Sequence, residues 1–368
     1  MRALLYAGDG KVELNSSVTV RDPGPGEVLV RIVASGLCHS DVSVVNGTIP
    51  WPAPTVLGHE GAGVVERVGL GVAKLAPGDH VVMHTLANCG HCDECDSGRP
   101  THCRQTLGNR STPFALGGQA VGNFAALSTF AETTLVKQDQ LVVIDKSIPL
   151  ESACLIGCGV LTGVGSVLNR AQVRAGQTAA VFGVGGVGLN VIQGLRIAGA
   201  SRIIAVDMLA SKRPMAELFG ATDFIDASLG DPAEQIRDLL PHSKTQRVGT
   251  FGSGGVDWSF ECVGSTKVLK SALAALDWGG NCVIVGVPPA GAAIEIPVAQ
   301  LGFVDRSIMG CRYGSSRPHH DIPVYLDLYQ RGLLKLDELV TKKYRIEDYA
   351  QAFEDLEHGK LARGVLTF

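Results

Sequence analysis

Through the first 150 residues, apolar and polar positions alternate with the two-residue period of half-buried strands. The clearest runs are "EVLVRIVAS" at 27–35 and "GHEGAGVVERVG" at 58–69, set off by glycine–proline turns such as "DPGPGE". "MRALLYAGDGKVEL" reads as two short strands around a Gly-Asp-Gly turn, and "LAPGDHVVMH" as a turn followed by one more strand. "SIPLESACLIGCGV" changes to a helical pattern, with Pro149 ahead of a first turn containing Glu151. From about residue 176 the rhythm becomes strand, helix, strand. "TAAVFG", "RIIAVD", "VDWSFECVG" and "NCVIVGV" are apolar strand-length runs, while "VGLNVIQGLRIAG" and "SKRPMAELFG" are helical. Such alternation predicts a parallel sheet covered by helices on both faces. Two further helical patterns near 320–331 and 346–358 precede a closing strand, "GVLTF".

Composition narrows the class. The 368 residues imply two domains or three, and 46 glycines suit many turns and strand–helix junctions. A net charge of -4 without runs of one sign argues against nucleic acid as a partner. The N-terminus lacks the apolar core of a signal peptide, and the apolar stretch 179–200 is interrupted by Asn190, Gln193 and Arg196. The expectation is a cytoplasmic protein without a membrane span, in which clustered thiols bind metal rather than pair as disulfides.

Three groups of residues carry candidate chemistry. "FGVGGVG" sets Gly183, Gly185 and Gly188 in G-x-G-x-x-G register, with Val184, Gly186 and Val187 between them, after one strand and opening a helix. Asp207 ends the next strand, nineteen residues past Gly188, where a carboxylate meets the adenosine ribose of a dinucleotide. A carboxylate there repels a 2′-phosphate, which favours NAD over NADP. The alternative is a glycine turn with a capping Asp. The second group is "NCGHCDECDSGRPTHC", in which Cys89, Cys92, Cys95 and Cys103 suit a tetrahedral zinc. Four thiolates fill every position and leave a charge near -2, so this ion can stabilise a loop and little else. A disulfide or redox switch is the competing explanation. The third group is dispersed: Cys38 in "GLCHSD", His59 in "GHEGAG" and Cys158 in "LIGCGVLTG". Taken singly, a buried Cys or His is more often core than ligand. Together, two thiolates and an imidazole leave zinc nearly neutral with a fourth position open, as polarising an alcohol oxygen requires. Their place along the chain predicts a site facing the carboxyl ends of the nucleotide-binding strands.

In this order, "GLCHSD", "GHEGAG", the four-cysteine lobe, "GCGVLTG", "FGVGGVG", "RIIAVD", "SFECVG", "VIVGV" and "GKLARGVLTF" resemble the zinc-dependent medium-chain alcohol dehydrogenases over nearly the whole chain. The likeness is greatest to the branch holding class III and bacterial aryl- or terpene-alcohol enzymes. It implies an α/β protein: a mainly β, GroES-like catalytic domain over 1–159 with a zinc lobe at 88–104, a Rossmann NAD-binding domain over 160–312, and a return to the catalytic domain over 313–368. It implies NAD and two zinc ions per chain, and a homodimer or a tetramer. Carried over, the resemblance makes Cys38, His59 and Cys158 the catalytic zinc ligands, with Glu60 behind the ion. Asp41 would orient His59, although a helix N-cap in "SDVS" is the plain alternative. Ser40 would accept the substrate proton, Lys212 would contact ribose, and Arg363 and His39 would lie near pyrophosphate, a solvated surface side chain being the alternative for His39. Thr162 and the backbone at Val285, Gly286 and Val287 would hold the nicotinamide, and Val263 would contact the cofactor. Ser43 stands where many members have a relay histidine. "VVNGTIPWPAPTV" lacks the acid that glutathione-adduct enzymes use there. The segment following Cys103, through "NFAALSTF", matches poorly and is expected to shape the pocket. Ile49, Thr85 and Val287 suggest room for an uncharged chain or ring.

Overall fold

The computed structural model describes residues 1–107, 111–240 and 254–368. The chain forms two compact units, Met1–Leu161 with Ser316–Phe368, and Thr162–Ser315.

The first unit is built from two mainly antiparallel sheets. In the larger, strands Leu141–Val143, His80–Met83, Glu60–Val68, Glu27–Gly36, Arg363–Thr367 and Val340–Arg345 lie side by side, and Thr133–Lys137 pairs with Glu27–Gly36 as well. The alternation in "EVLVRIVAS" buries Val28, Val30 and Ile32 against Val65, Val81 and Met83. Register matters more than order here. Gly36 pairs with Glu60 on one side and with Val365 on the other, so residues just beyond these ends converge at one edge of the sheet. The second sheet contains the predicted N-terminal hairpin, Ala3–Gly8 with Lys11–Asn15, and the hairpin Phe114–Leu116 with Gln119–Asn123. That second hairpin lies in the segment after Cys103, whose residues 108–110 fall outside the described ones.

The second unit is a six-stranded parallel sheet in the order Asp223–Asp226, Arg202–Asp207, Thr178–Phe182, Val256–Glu261, Leu276–Ile284, Ser307–Gly310. Chain order reverses between Thr178–Phe182 and Val256–Glu261, which makes the ends of those strands the switch point where such sheets bind ligands. Helix Gly186–Ala198 follows the first strand as predicted, closed by Gly199 at φ 78°. Strand Asp223–Asp226 and helices Pro232–Leu239 and Thr266–Ala274 had no strong signal, being short and, in the first two, largely polar.

The helical stretch Leu150–Ala171 is the single helix among the described residues long and apolar enough to cross a membrane, and 83% of its apolar window is buried in the molecule.

Candidate metal centres and nucleotide loop

The lobe at 88–103 folds around its sulfurs. Cys92 precedes the short helix Asp93–Asp96, and Cys103 follows the turn Pro100–His102. The Sγ atoms of Cys92 and Cys95 are 3.6 Å apart, those of Cys89 and Cys103 3.8 Å, and those of Cys89 and Cys95 4.0 Å. A tetrahedral ion with metal–sulfur bonds of about 2.3 Å needs sulfur–sulfur edges of about 3.8 Å. The sulfurs therefore already hold the spacing zinc requires. Cys103 is buried, which would raise its thiol, yet backbone N–H groups of Cys89 and Gln105 hold it down at about 6. Among the described residues all ten cysteines are free, so no disulfide competes for these thiols.

The second cluster assembles from three distant segments of the same unit. Cys38 immediately precedes helix His39–Val45, His59 directly precedes strand Glu60–Val68, and Cys158 sits in a π-helical turn, Ile156–Val160. One ligand atom each from Cys38, His59, Glu60 and Cys158 falls within 4.8 Å of all the others. π-Turns recur at functional sites because the extra residue re-aims a side chain. The glycines beside Cys158 have a steric cause: a Cβ on Gly159 would stand 2.3 Å from the Arg363 guanidinium.

Burial governs the electrostatics of this cluster. Glu60 is fully buried, and loss of hydration pushes its carboxyl up to about 8 despite the nearby Arg363. Cys38 is pushed below the ordinary thiol range, first by the hydrogen bond from Cys158 and then by His59, while Cys158 is pushed up as partner in that bond and by burial. Burial alone would lower His59, but the charges of Asp41 and Cys38 outweigh it and raise it. Cys38 thus acquires thiolate character, the form that binds a metal. Neither Glu60 oxygen accepts a hydrogen bond, and one of them lies within 4.8 Å of sulfur and imidazole ligand atoms. A donor set of two sulfurs, one ring nitrogen and an under-satisfied carboxylate fits a cation.

Asp41 does not cap its helix. Its Oδ1 accepts from the Gly58 N–H at 3.0 Å, and both oxygens lie 3.3 Å from His59 Nδ1, which leaves Nε2 for the cluster. Ser40 Oγ is 3.8 Å from Cys38 Sγ, His39 is exposed and Ser43 is half-buried. Arg363 is buried: it is 3% exposed, and its guanidinium donates to the Leu37 carbonyl at 3.0 Å and lies 3.4 Å from Glu60. A buried carboxylate needs such a counter-charge. Ile49 packs against the core cluster holding Leu57 and Phe124, and Thr85 is half-buried just past strand His80–Met83.

In the second unit, Gly183 turns at φ 95°, and a Cβ on Gly188 would strike the Gly183 carbonyl at 1.8 Å, so only glycine fits at 188 in the first turn of the helix. A Cβ on Gly185 would meet nothing, which leaves the backbone open to a close-approaching phosphate. Asp207 accepts from the Val184 N–H at 2.8 Å and from Lys212 Nζ at 3.1 Å, so the two expected ribose residues stand together beside the loop. Glu261 had no sequence signal. Its Oε1 accepts from the N–H groups of Val263, Gly264 and Ser265, and so fixes the loop presenting exposed Val263. Val285 is buried, Val287 exposed, Gly286 lies tight against Gly264, and Thr162 is half-buried.

Comparison with known proteins agrees with this geometry. Residues 24–146 match the family model of the alcohol dehydrogenase GroES-like domain, and 186–331 that of zinc-binding dehydrogenases. The chain is 39% identical to an NDMA-dependent alcohol dehydrogenase of Amycolatopsis methanolica, covering 99% of this chain and 97% of that one. It is 37% identical to the S-(hydroxymethyl)glutathione dehydrogenase of Paracoccus denitrificans, over 100% and 99%. Benzyl alcohol dehydrogenase from Acinetobacter calcoaceticus superposes with a TM-score of 0.90 at 32% identity, covering 100% of this chain and 99% of that one. The two sulfur-bearing clusters, the Rossmann loop with its acid and these matches establish that the chain belongs to the zinc-dependent alcohol dehydrogenase family, NAD-linked oxidoreductases that act on small alcohols and aldehydes.

Proposed function

We propose that this enzyme reversibly oxidises a primary or secondary alcohol of apolar character, aryl, allylic or medium-chain, to the aldehyde or ketone with NAD. The observation that carries the reading is the convergence of Cys38, His59 and Cys158, with Glu60, inside one buried unit. Those three residues would hold the catalytic zinc, and Cys89, Cys92, Cys95 and Cys103 the structural one. Bound there, zinc would supply Lewis acidity toward the alcohol oxygen, and NAD would accept the hydride.

The remaining work falls to the chain itself. Asp41 holds the proton on His59 Nδ1, so Nε2 stays a lone-pair donor. Ser40, half-buried beside Cys38, takes the hydroxyl proton as it passes its own toward the cofactor ribose and water, since Ser43 offers no imidazole to continue the relay. Glu60 and Arg363 form a buried pair behind the ligands that balances the local charge. The glycine loop 183–188, with Asp207 and Lys212, binds the pyrophosphate and ribose side of the cofactor. Thr162, Val263, Val285, Gly286 and Val287 are the candidates for the nicotinamide end of the cofactor, and Ile49 and Thr85 for contact with the substrate. His39 and Arg363 remain candidates for phosphate contact. A homodimer, or a tetramer, in the cytoplasm is the expected state, with neither nucleic acid nor membrane as partner.

A second reading, a thiol-adduct formaldehyde dehydrogenase using glutathione or mycothiol, draws support from the Paracoccus denitrificans relative. The absence of any acid in "VVNGTIPWPAPTV" speaks against it. One assay separates them. Absorbance of reduced nicotinamide is followed with benzyl alcohol, geraniol and a longer alkanol, using NAD or NADP, alongside formaldehyde with and without added thiol. Protein carrying two zinc ions per chain should turn over alcohols with NAD and need no thiol. Turnover confined to formaldehyde plus thiol would replace the first reading with the second.

A further inference from the structure

Three rings run in sequence away from the buried cluster. The Phe124 ring meets His59 edge-on, with centroids 5.4 Å apart at 89°, and Trp51 meets Phe124 in the same way at 5.0 Å and 87°. Phe124 is 4% exposed, whereas Trp51 is half-buried. Edge-to-face contact sets the positive rim of one ring against the negative face of the next, so each ring fixes the tilt of its neighbour.

The backbone behind these rings is built for position. Immediately after Phe124, Ala125, Ala126 and Ser128 all adopt left-handed conformations, with φ of 51°, 60° and 56°. Non-glycine residues adopt these angles only where the surroundings over-determine them, and such clusters gather at functional sites. Here Ser128 Oγ accepts from the Phe124 N–H at 2.9 Å and donates to the Val56 carbonyl at 2.7 Å, while the Leu127 N–H reaches back to the Phe124 carbonyl at 2.9 Å. On the other side, Trp51 stands between Pro50 and Pro52, whose rings fix φ, and its indole N–H donates to the Asn123 carbonyl at 3.2 Å. The packing of Val42 and Leu57 in the same core could be satisfied by any apolar side chain at 51 and 124. Strain, proline stiffening and two ring contacts are more than packing asks for.

We propose that Trp51 is a specificity-determining residue: with Phe124 it extends a rigid aromatic wall from His59 that makes the enzyme select planar aryl and allylic alcohols over saturated alcohols of equal size. This rests on the reading that Cys38, His59 and Cys158 hold the ion to which the alcohol oxygen binds. A flat ring can meet the indole through its rim or face, and a puckered saturated ring has neither.

The test pairs benzyl alcohol with cyclohexylmethanol, which share a carbon skeleton, and benzamide with cyclohexanecarboxamide, which cannot be oxidised. The wild-type holoenzyme should favour the aryl member of each pair, in kcat/KM and in Kd from quenching of tryptophan fluorescence. Trp51→Leu should shrink that preference by roughly two- to tenfold, the worth of one aromatic contact. Trp51→Phe should restore most of it while lacking the Asn123 hydrogen bond. Equal binding of the two amides by the wild type would overturn the proposal even if Trp51→Leu fails to fold. So would an unchanged ratio in a folded Trp51→Leu. Oxidation of both alcohols without preference removes this inference alone, whereas failure to oxidise either by protein with two zinc ions removes the underlying reading too.

Discussion

The four-sulfur lobe draws its ligands from a single loop, and three of its cysteines remain half-exposed. Cys38, His59 and Cys158 come from three segments, and the Glu60 and Arg363 that accompany them are fully or nearly fully buried. The difference follows from charge. Four thiolates around one divalent ion leave about two negative charges, tolerable at a half-solvated surface where hydration and backbone N–H groups spread them. In the interior the same excess would cost several kcal/mol per ion. The buried set meets that constraint: two thiolates offset the ion, imidazole adds no charge, and Glu60 is matched by Arg363. Neutrality with one thiolate pair also leaves a coordination position free. Reactivity and burial are thus two consequences of one ligand choice, and the lobe gives up the first by escaping the second.

Removing one sulfur from each cluster should break this contrast if it is wrong. Each variant should lose one of the two zinc ions, yet with opposite phenotypes. Cys158→Ala should lower kcat by about three orders of magnitude or more, the loss of several kcal/mol of Lewis-acid stabilisation, while NAD binding by equilibrium titration persists. A nearly full rate would mean that the buried cluster is not where alcohol reacts. Cys92→Ser should instead lower Tm by roughly 5–10 °C in a thermal melt, because a structural metal contributes folding energy. Its kcat per remaining zinc should stay close to wild type. A rate collapse there with an unshifted Tm would reverse the two assignments.

How much of this was legible follows the same division. The lobe could be read directly, since all its ligands sit within sixteen residues, and so could the glycine loop with Asp207 one strand away. The parallel sheet was visible because buried strands such as "RIIAVD" are continuously apolar. The polar "DFID" and amphipathic "PAEQIRDL" were not, since tertiary packing rather than composition makes them elements. The buried cluster needed the family resemblance, for no periodicity links residues 38, 59 and 158. Arg363 shows the limit of that route. Its motif was recognised, but the burial against Glu60 depends on sheet register, with Val365 beside Gly36 and Gly36 beside Glu60. The Trp51–Phe124 contact escaped for a related reason: it joins a proline-rich loop to a turn whose left-handed residues are alanine and serine, not the glycines that would have announced it.

The subtlest difference between the clusters is what steadies their ligands. Sulfurs of the lobe take hydrogen bonds from neutral donors, the Cys89 N–H to Cys103 and the Asn88 amide to Cys95. The buried cluster uses a full charge, Asp41, which is 0% exposed and sits against His59 Nδ1. Asp41→Asn keeps the shape and lets an amide oxygen still accept from the Gly58 N–H, but it removes the charge. An amide NH2 turned toward His59 would oppose the Nδ1 proton and favour the tautomer that carries its proton on Nε2, the nitrogen the ion needs. The expected cost is about 10- to 100-fold in affinity for the zinc of the buried cluster, read by competition with a chromophoric chelator, with kcat falling in step and the zinc of the lobe unaffected. Equal loss of both ions would show instead that Asp41 supports the unit as a whole. Unchanged affinity would mean that packing against Phe124, whose ring meets His59 edge-on, orients the imidazole without electrostatic help.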